Sequence, residues 1–153
     1  MLPNNIKLTD NPGPFLNLYL QKWSFSKVML LADENTQTHC YPLLQSHLPD
    51  HTLISVPSGE ENKTLKTCEE IWTQMTNLEL DRHSILVVLG GGVLGDMGGF
   101  CAATYKRGID FILVPTTLLA MADASIGGKL GIDFLHLKNH IGIFKEPRLT
   151  IIN

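Results

Sequence analysis

Short runs of hydrophobic residues alternate along this chain with longer segments in which hydrophobic residues recur at every third or fourth position. The short runs are rich in leucine and β-branched residues, which is typical of buried strands. Five such runs are found, at positions 27–32, 52–56, 84–89, 110–114 and 148–152. Strands of this kind that alternate with helices predict an α/β protein that is Rossmann-like, with a mainly parallel sheet covered by helices on both faces.

The helices are predicted from the spacing of their hydrophobic residues. The clearest pattern covers positions 65–78, and either Thr64 or Asn62 is placed to cap the N-terminus of that helix. Further helices are predicted over Phe15–Trp23 and Thr38–His47, from the glycines near position 90 to about Tyr105, and over Pro115–Ala122. The segment Ser125–Asn139 is rich in glycine and polar residues, so it is predicted to form a loop around a site.

Three consecutive glycines, Gly90, Gly91 and Gly92, follow the strand at 84–89 and precede a helix of small residues. Without Cβ atoms the backbone N–H groups can approach a phosphate closely, and the helix dipole favours an anion there. A nucleotide or phosphorylated ligand is therefore the leading hypothesis, and a tight strand-to-helix turn is the alternative. Gly95 completes a G-x-G-x-x-G match, but Asp110, placed like a ribose-binding acid, begins a strand and is interpreted as a coincidence.

Polar residues collect where the predicted strands end, which is the edge at which parallel sheets bind ligands. They are Asp33 and Asn35, Gly59 and Glu60, the three glycines, and Thr116 and Thr117. Asp33 and Asn35 suit a ribose or an adenine edge, although an Asx turn or a helix cap explains them equally well. A third group of candidates lies among later glycines and suits an anionic substrate: Asp123, Lys129, Lys138 and Asn139.

Composition narrows the class of protein. The chain has 153 residues, 44% of them hydrophobic and 18% charged, with a net charge of −3 and no basic run, which argues against nucleic acid. No hydrophobic stretch approaches the roughly 20 residues of a membrane helix, and no secretory signal is expected. The three cysteines are widely spaced, so reduced thiols in a cytoplasmic protein are expected. His136 and His140 could share a metal, but the intervening Lys138 disfavours this, and no metal site is predicted.

Three blocks carry a resemblance to a known family: GGGVLGDMGGFCAATYKRGIDFILVPTTLLAMADAS, GGKLGID and KNHIG. With these blocks the chain resembles the N-terminal domain of the 3-dehydroquinate synthase family of sugar-phosphate cyclases, over essentially all 153 residues. The resemblance implies a single NAD-binding domain at positions 1–153. It implies NAD contacts from Asp33, Asn35, Glu60 and Lys63 on the adenosine side, from Gly91, Gly92, Val93 and Asp96 at the pyrophosphate, and from Thr116, Thr117, Leu119, Lys129 and Lys138 beyond it.

The same resemblance implies catalytic roles for Asp123, Lys129, Asn139 and Arg107, with Arg107 reaching the substrate phosphate across a homodimer interface. The implied reaction converts 3-deoxy-arabino-heptulosonate 7-phosphate, a phosphorylated sugar acid, to 3-dehydroquinate and phosphate in the shikimate pathway. A divalent metal, zinc or cobalt, is implied in the intact enzyme. Its ligands, a glutamate and two histidines, belong to a helical C-terminal domain absent from this chain, so the chain alone is expected to be inactive.

Three alternatives remain open. Another sugar-phosphate cyclase, of the valiolone or inosose synthase type, is the nearest enzyme rival. Iron-dependent alcohol and glycerol dehydrogenases share the general architecture, but they are expected to have a serine after the triple glycine, where this chain has Val93. A non-catalytic NAD-binding module would leave the cluster of Lys129, Lys138 and Asn139 without a ligand.

Overall fold

The computed structural model describes residues 3–124 and 127–153 as alternating strands and helices. The strands are β1 (Ile6–Leu8), β2 (Val28–Asp33), β3 (Thr52–Val56), β4 (Ile85–Gly90), β5 (Asp110–Pro115), β6 (Lys129–Phe134), β7 (Leu137–Phe144) and β8 (Leu149–Ile152). The helices are α1 (Pro12–Trp23), α2 (Glu34–His39), α3 (Tyr41–Gln45), α4 (Leu65–Asn77) and α5 (Gly92–Thr104). None of the helices described is both long and apolar enough to cross a membrane.

Six of the strands form one parallel sheet in the order β1-β8-β5-β4-β2-β3. Successive residues of each strand face opposite sides of the sheet, and both sides are buried. Leu86 and Val88 pack with α4 and α5 on one face, whereas Ile85 and Val87 pack with α1 and α3 on the other. The predicted α/β fold is confirmed, and the sheet brings the carboxyl ends of β2, β3, β4 and β5 to one edge.

The prediction of a loop over Ser125–Asn139 is wrong for most of this range, because β6 and β7 form an antiparallel hairpin. Ser125 and Ile126 lie outside the described residues. Gly131 contributed to the loop prediction, but in the structure it allows the two strands of the hairpin to approach closely. A Cβ on Gly131 would lie 3.0 Å from the carbonyl oxygen of Ile141. Leu130 and Ile132 are buried, whereas β7 is exposed along most of its length and shows no hydrophobic alternation.

Two smaller predictions need correction, and one strand was not predicted. The single helix predicted over Thr38–His47 is two short helices that meet at Cys40, with Pro42 in the first turn of the second. Pro115 ends strand β5 instead of beginning a helix, and one π-helical turn follows at Ala120–Ala124. The three-residue strand β1 was not predicted, because only one of its residues is buried. The cap of α4 is confirmed as Thr64, whose side chain accepts from the amide of Thr67.

Candidate functional site

A cleft of about 390 Å³ opens at the carboxyl edge of the sheet, between the ends of the central strands. It brings together most of the residues predicted at this edge. The lining residues are Asp33, Asn35, Thr36, Pro57, Ser58, Gly59, Gly91, Gly92, Val93, Leu94, Met97, Thr116 and Thr117. Because these residues come from four separate strand ends, the cleft is a product of the sheet order and not of any one motif.

The three glycines of the predicted phosphate cradle have different roles. Gly90 ends β4, and a Cβ there would lie 2.8 Å from the Cβ of Leu94, so Gly90 serves the tight turn. Gly91 is the N-cap of α5 without a side-chain hydrogen bond, and Gly92 is the first residue of that helix. Both line the cleft. The first amide groups of a helix have no partner within it, so the N-terminus of α5 offers donors and the positive end of a dipole to this space.

Of the two roles left open for Asp33 and Asn35, the structure shows the helix cap, and the contact with a ribose or an adenine stays a prediction. One carboxylate oxygen of Asp33 (Oδ1) accepts from the amides of Asn35 and Thr36, at 3.0 and 2.8 Å, and so caps α2. Asn35 donates through Nδ2 to Ser58 Oγ at 3.2 Å. Because both residues also line the cleft, the cap fixes their positions on its wall.

Sequence reasoning missed the contact between Glu34 and Ser58. The Glu34 carboxylate accepts from the backbone amide and the hydroxyl of Ser58, both at 2.7 Å. These bonds tie the start of α2 to the segment after β3, which forms the opposite wall of the cleft. The hydrogen bond from the Ser58 hydroxyl, more than any other contact, lowers the pKa of Glu34 below its ordinary value. Nothing in the sequence signals this pair, since Glu34 looks like an ordinary acid in a helix first turn.

Acidification is expected to release Ser58 from Glu34. A carboxylate whose pKa is depressed by folding stabilises the folded arrangement above its unfolded pKa, and that contribution is lost as the pH falls through the folded pKa. The amide proton of Ser58 is therefore expected to shift in NMR spectra only below the ordinary glutamate pKa of about 4.3. Glu34→Gln should remove this titration while leaving the shift of the Asp81-bound His83 amide unchanged. If the amide proton of Ser58 shifts with a midpoint at or above the ordinary glutamate pKa, the assignment is contradicted.

Three predicted residues meet outside the cleft. Lys63 is only 3% exposed, and its ammonium group donates to Asp96 Oδ2 at 2.7 Å and to Asn139 Oδ1 at 2.6 Å. This contact joins the turn before α4 to α5 and to the β6–β7 hairpin. These are the partners of Lys63 in the structure, whereas the family resemblance grouped it with Asp33 and Asn35 on the adenosine side, which stays a prediction.

The remaining predicted residues are dispersed. Glu60 and Lys138 form an exposed ion pair at 3.6 Å beside a second hollow of about 500 Å³. Lys129 and Leu119 are exposed. Arg107 is exposed at the opposite end of α5 from Gly92. The side chain of Asp123 lies outside the described part of the chain, and no three His, Cys, Asp or Glu side chains that could hold a metal come together in the described part.

The fold and the glycine-lined cleft are typical of Rossmann-like α/β proteins that bind nucleotides. Residues 53–153 match the family described as 3-dehydroquinate synthase N-terminal. The chain is 46% identical over 132 residues to the 3-dehydroquinate synthase of Ruminiclostridium cellulolyticum, a match that covers 84% of this chain and 37% of that protein. It is 44% identical to the enzyme of Blochmanniella pennsylvanica, with 97% of this chain and 44% of that protein covered. The chain therefore belongs to the 3-dehydroquinate synthase family and spans less than half the length of these relatives.

A solved structure agrees with this assignment. The 2-epi-5-epi-valiolone synthase of Streptomyces hygroscopicus, with NAD⁺ and Zn²⁺ bound, superposes with a TM-score of 0.86 at 27% identity. That superposition covers 100% of this chain and 43% of the synthase. The similarity therefore extends to a second kind of sugar-phosphate cyclase.

Proposed function

We propose that this chain is the NAD-binding part of a 3-dehydroquinate synthase, with the dinucleotide in the cleft at the carboxyl edge of the sheet. The observation that carries the proposal is the exposed N-terminus of α5, where Gly91 and Gly92 present backbone amides to the cleft. A pyrophosphate group suits this position because its charge meets amide donors and the helix dipole together. Membership of the family and the NAD⁺ in the related valiolone synthase support the same ligand.

The strand order supports one direction for the dinucleotide in the cleft. Asp33 and Asn35, at the end of β2, have polar groups for the adenosine ribose, and Ser58 lies opposite them. Thr116 and Thr117 follow β5 on the other side of the α5 N-terminus. We place the adenosine over β2 and β3, the pyrophosphate at Gly91 and Gly92, and the nicotinamide toward the threonines.

The reaction proposed for the whole protein converts 3-deoxy-arabino-heptulosonate 7-phosphate to 3-dehydroquinate and phosphate. When bound, NAD would supply a reversible hydride acceptor, and a divalent metal, zinc or cobalt, would polarise the substrate oxygen in the whole protein. Lys129 and Lys138 are proposed to hold substrate anions, and Asn139 and Asp123 are proposed as further catalytic groups. Since Lys138 has only a surface ion pair with Glu60, a substrate phosphate or carboxylate can compete for it at little cost.

Arg107 is proposed to act on the cleft of a second subunit. Helix α5 has 13 residues, and at 1.5 Å per residue Arg107 stands about 20 Å from the glycines of its own chain. A guanidinium group is well suited to a phosphate, but this separation exceeds the reach of its side chain. A homodimer in which each subunit contributes Arg107 to the cleft of the other would bring the guanidinium group within reach of the substrate phosphate.

We also propose a cytoplasmic location, consistent with three unpaired cysteines.

Calorimetric titration with NAD tests the binding proposal directly. Saturable binding of one NAD per chain is expected, and ADP-ribose should compete for the same site because it contains the adenosine and pyrophosphate groups. Absence of heat and of competition up to millimolar NAD would contradict the placement of the dinucleotide in this cleft.

Phosphate release is expected to be absent when this chain alone receives the heptulosonate phosphate, NAD and Zn²⁺. The physical reason is that the described residues offer no group of three metal ligands, so the substrate oxygen would not be polarised. A colorimetric phosphate assay measures the rate, with a full-length relative as positive control. Release above the protein-free background would show that the metal ligands are wrongly assigned.

A second candidate reaction is that of another cyclase. The 2-deoxy-scyllo-inosose synthase complexed with carbaglucose-6-phosphate, NAD⁺ and Co²⁺ superposes with a TM-score of 0.85 at 25% identity, over 97% of this chain and 42% of that one. This is nearly the same structural similarity as for the valiolone synthase. The higher identity to named 3-dehydroquinate synthases favours the first reaction. Assaying the whole protein with both phosphorylated substrates separates the two.

A further inference from the structure

Lys63 is the only charged side chain that is buried in the part of the chain that the structure describes. Burying an ammonium group is costly unless it is paired and hydrogen-bonded. Its partners are the Asp96 carboxylate and the Asn139 side-chain oxygen, at 2.7 and 2.6 Å. These two residues belong to different elements, α5 and β7, so the interaction joins parts of the chain that are 33 and 76 residues away from Lys63.

Two further hydrogen bonds close a ring around this contact. The backbone amide of Asp133 donates to the carbonyl oxygen of Lys63 at 2.9 Å. The Asp133 carboxylate accepts from the amide of Asn139 at 2.8 Å. Asn139 has a left-handed backbone conformation, with φ of +50°, which asparagine tolerates better than most residues. Lys63 is therefore bonded to both strands of the hairpin, through its main chain to β6 and through its side chain to β7.

The end of the hairpin near its turn, between Phe134 and Leu137, has few buried side chains. Its base is fixed by buried Leu130 and Ile132, and a Cβ on Gly99 of α5 would lie 2.4 Å from Leu130 Cδ2. Toward the turn the side chains are exposed, and Leu135 reaches 76% exposure. Segments with few buried contacts open readily. Near the tip, Lys138 has a surface ion pair with Glu60, whereas the hydrogen bonds of Lys63 are buried.

We propose that Lys63 is a positioning residue that acts through Asp96 and Asn139 to hold the β6–β7 hairpin against the first turns of α5, beside the cleft. The hairpin includes Lys129 and Lys138, so the consequence for substrate rests on the function proposed above. The mechanical part of the proposal does not depend on that function. It is distinct from the adenosine contact that the family resemblance implies for Lys63, because it rests on the two hydrogen bonds of the ammonium group to Asp96 and Asn139.

Amide hydrogen exchange in the NAD-free chain tests this role. Lys63→Met removes the charge at similar side-chain length, and Asn139→Gly removes the acceptor while keeping a residue at ease with positive φ. Each change is expected to raise exchange of the hairpin amides at 129–144 about tenfold, with β2 and β4 unchanged. Lys66→Met, at an exposed lysine of α4, is the matched control and should leave the hairpin unchanged.

The double variant distinguishes a specific contact from general weakening. If the two side chains act through one bond, Lys63→Met with Asn139→Gly should exchange no faster than Lys63→Met alone. Additive effects, or hairpin exchange at the original rate in Asn139→Gly, would overturn the proposal. So would a loss of NAD affinity in Lys63→Met with unchanged hairpin exchange, since that would make Lys63 a direct ligand. If Lys63→Met does not fold, the exchange measured for Asn139→Gly decides the test alone. If the original chain does not bind NAD, that result counts against the proposed function and not against the positioning role of Lys63.

Discussion

Gly92→Val is expected to lower the affinity of this chain for NAD about 100-fold or more. Gly92 is the first residue of α5 and lines the cleft. In the proposed placement of NAD, a valine side chain there would compete with the pyrophosphate oxygens for the space in front of the first helix amides. Hydrogen bonds to a charged group contribute about 1.5–3 kcal/mol each, so the loss of two accounts for the expected change. Calorimetric titration of the original and variant chains measures it.

The control for this variant is another glycine of the same helix. A Cβ at Gly95 would have no neighbour within 4 Å, and Gly95 does not line the cleft. Gly95→Ala should therefore bind NAD like the original chain. Valine costs less than about 1 kcal/mol as a helix residue, so Gly92→Val should fold, which circular dichroism can check. A folded Gly92→Val chain with unchanged affinity would exclude the α5 N-terminus as the phosphate site.

The sheet and the cleft could be predicted because their signals are local. Each central strand is a continuous hydrophobic run, and parallel strands place their carboxyl ends at one edge. Gly91, Asp33 and Thr117 needed only the positions of the nearest strand ends to be grouped correctly. Their predicted contacts with NAD remain predictions, because grouping residues around a cleft does not identify its ligand.

The contacts of Lys63 and Glu34 could not be predicted, because each depends on a partner chosen by the tertiary fold. Lys63 has the sequence context of an exposed helix-flanking lysine, yet it is buried against a hairpin more than 70 residues away. The sequence analysis did not predict that hairpin, because its glycines are typical of a loop. Ser58 likewise follows a different strand from Glu34. A single sequence contains the residue types of such pairs but not the pairing.

The glycines within α5 look equivalent in the sequence, but their substitution is expected to have opposite effects. Gly95→Ala should stabilise the chain by about 0.5–1 kcal/mol, because alanine is the better helix residue and the site is open. Gly98 faces the sheet, and a Cβ there would lie 2.8 Å from Leu31 Cδ2 and 2.9 Å from Val88 Cγ2. Val88 is a stiff β-branched residue in the buried centre of β4, so the helix would have to move away.

Overpacking of this kind costs about 1–3 kcal/mol, so Gly98→Ala should lower the free energy of unfolding while Gly95→Ala raises it. Urea denaturation of the two variants and the original chain measures both, and the midpoints should lie on opposite sides of the original. A Gly98→Ala chain as stable as the original would mean that α5 does not pack this closely on β4. Since α5 also presents Gly92 to the cleft, Gly98→Ala should weaken NAD binding as well, by displacing the helix N-terminus from the ends of the strands.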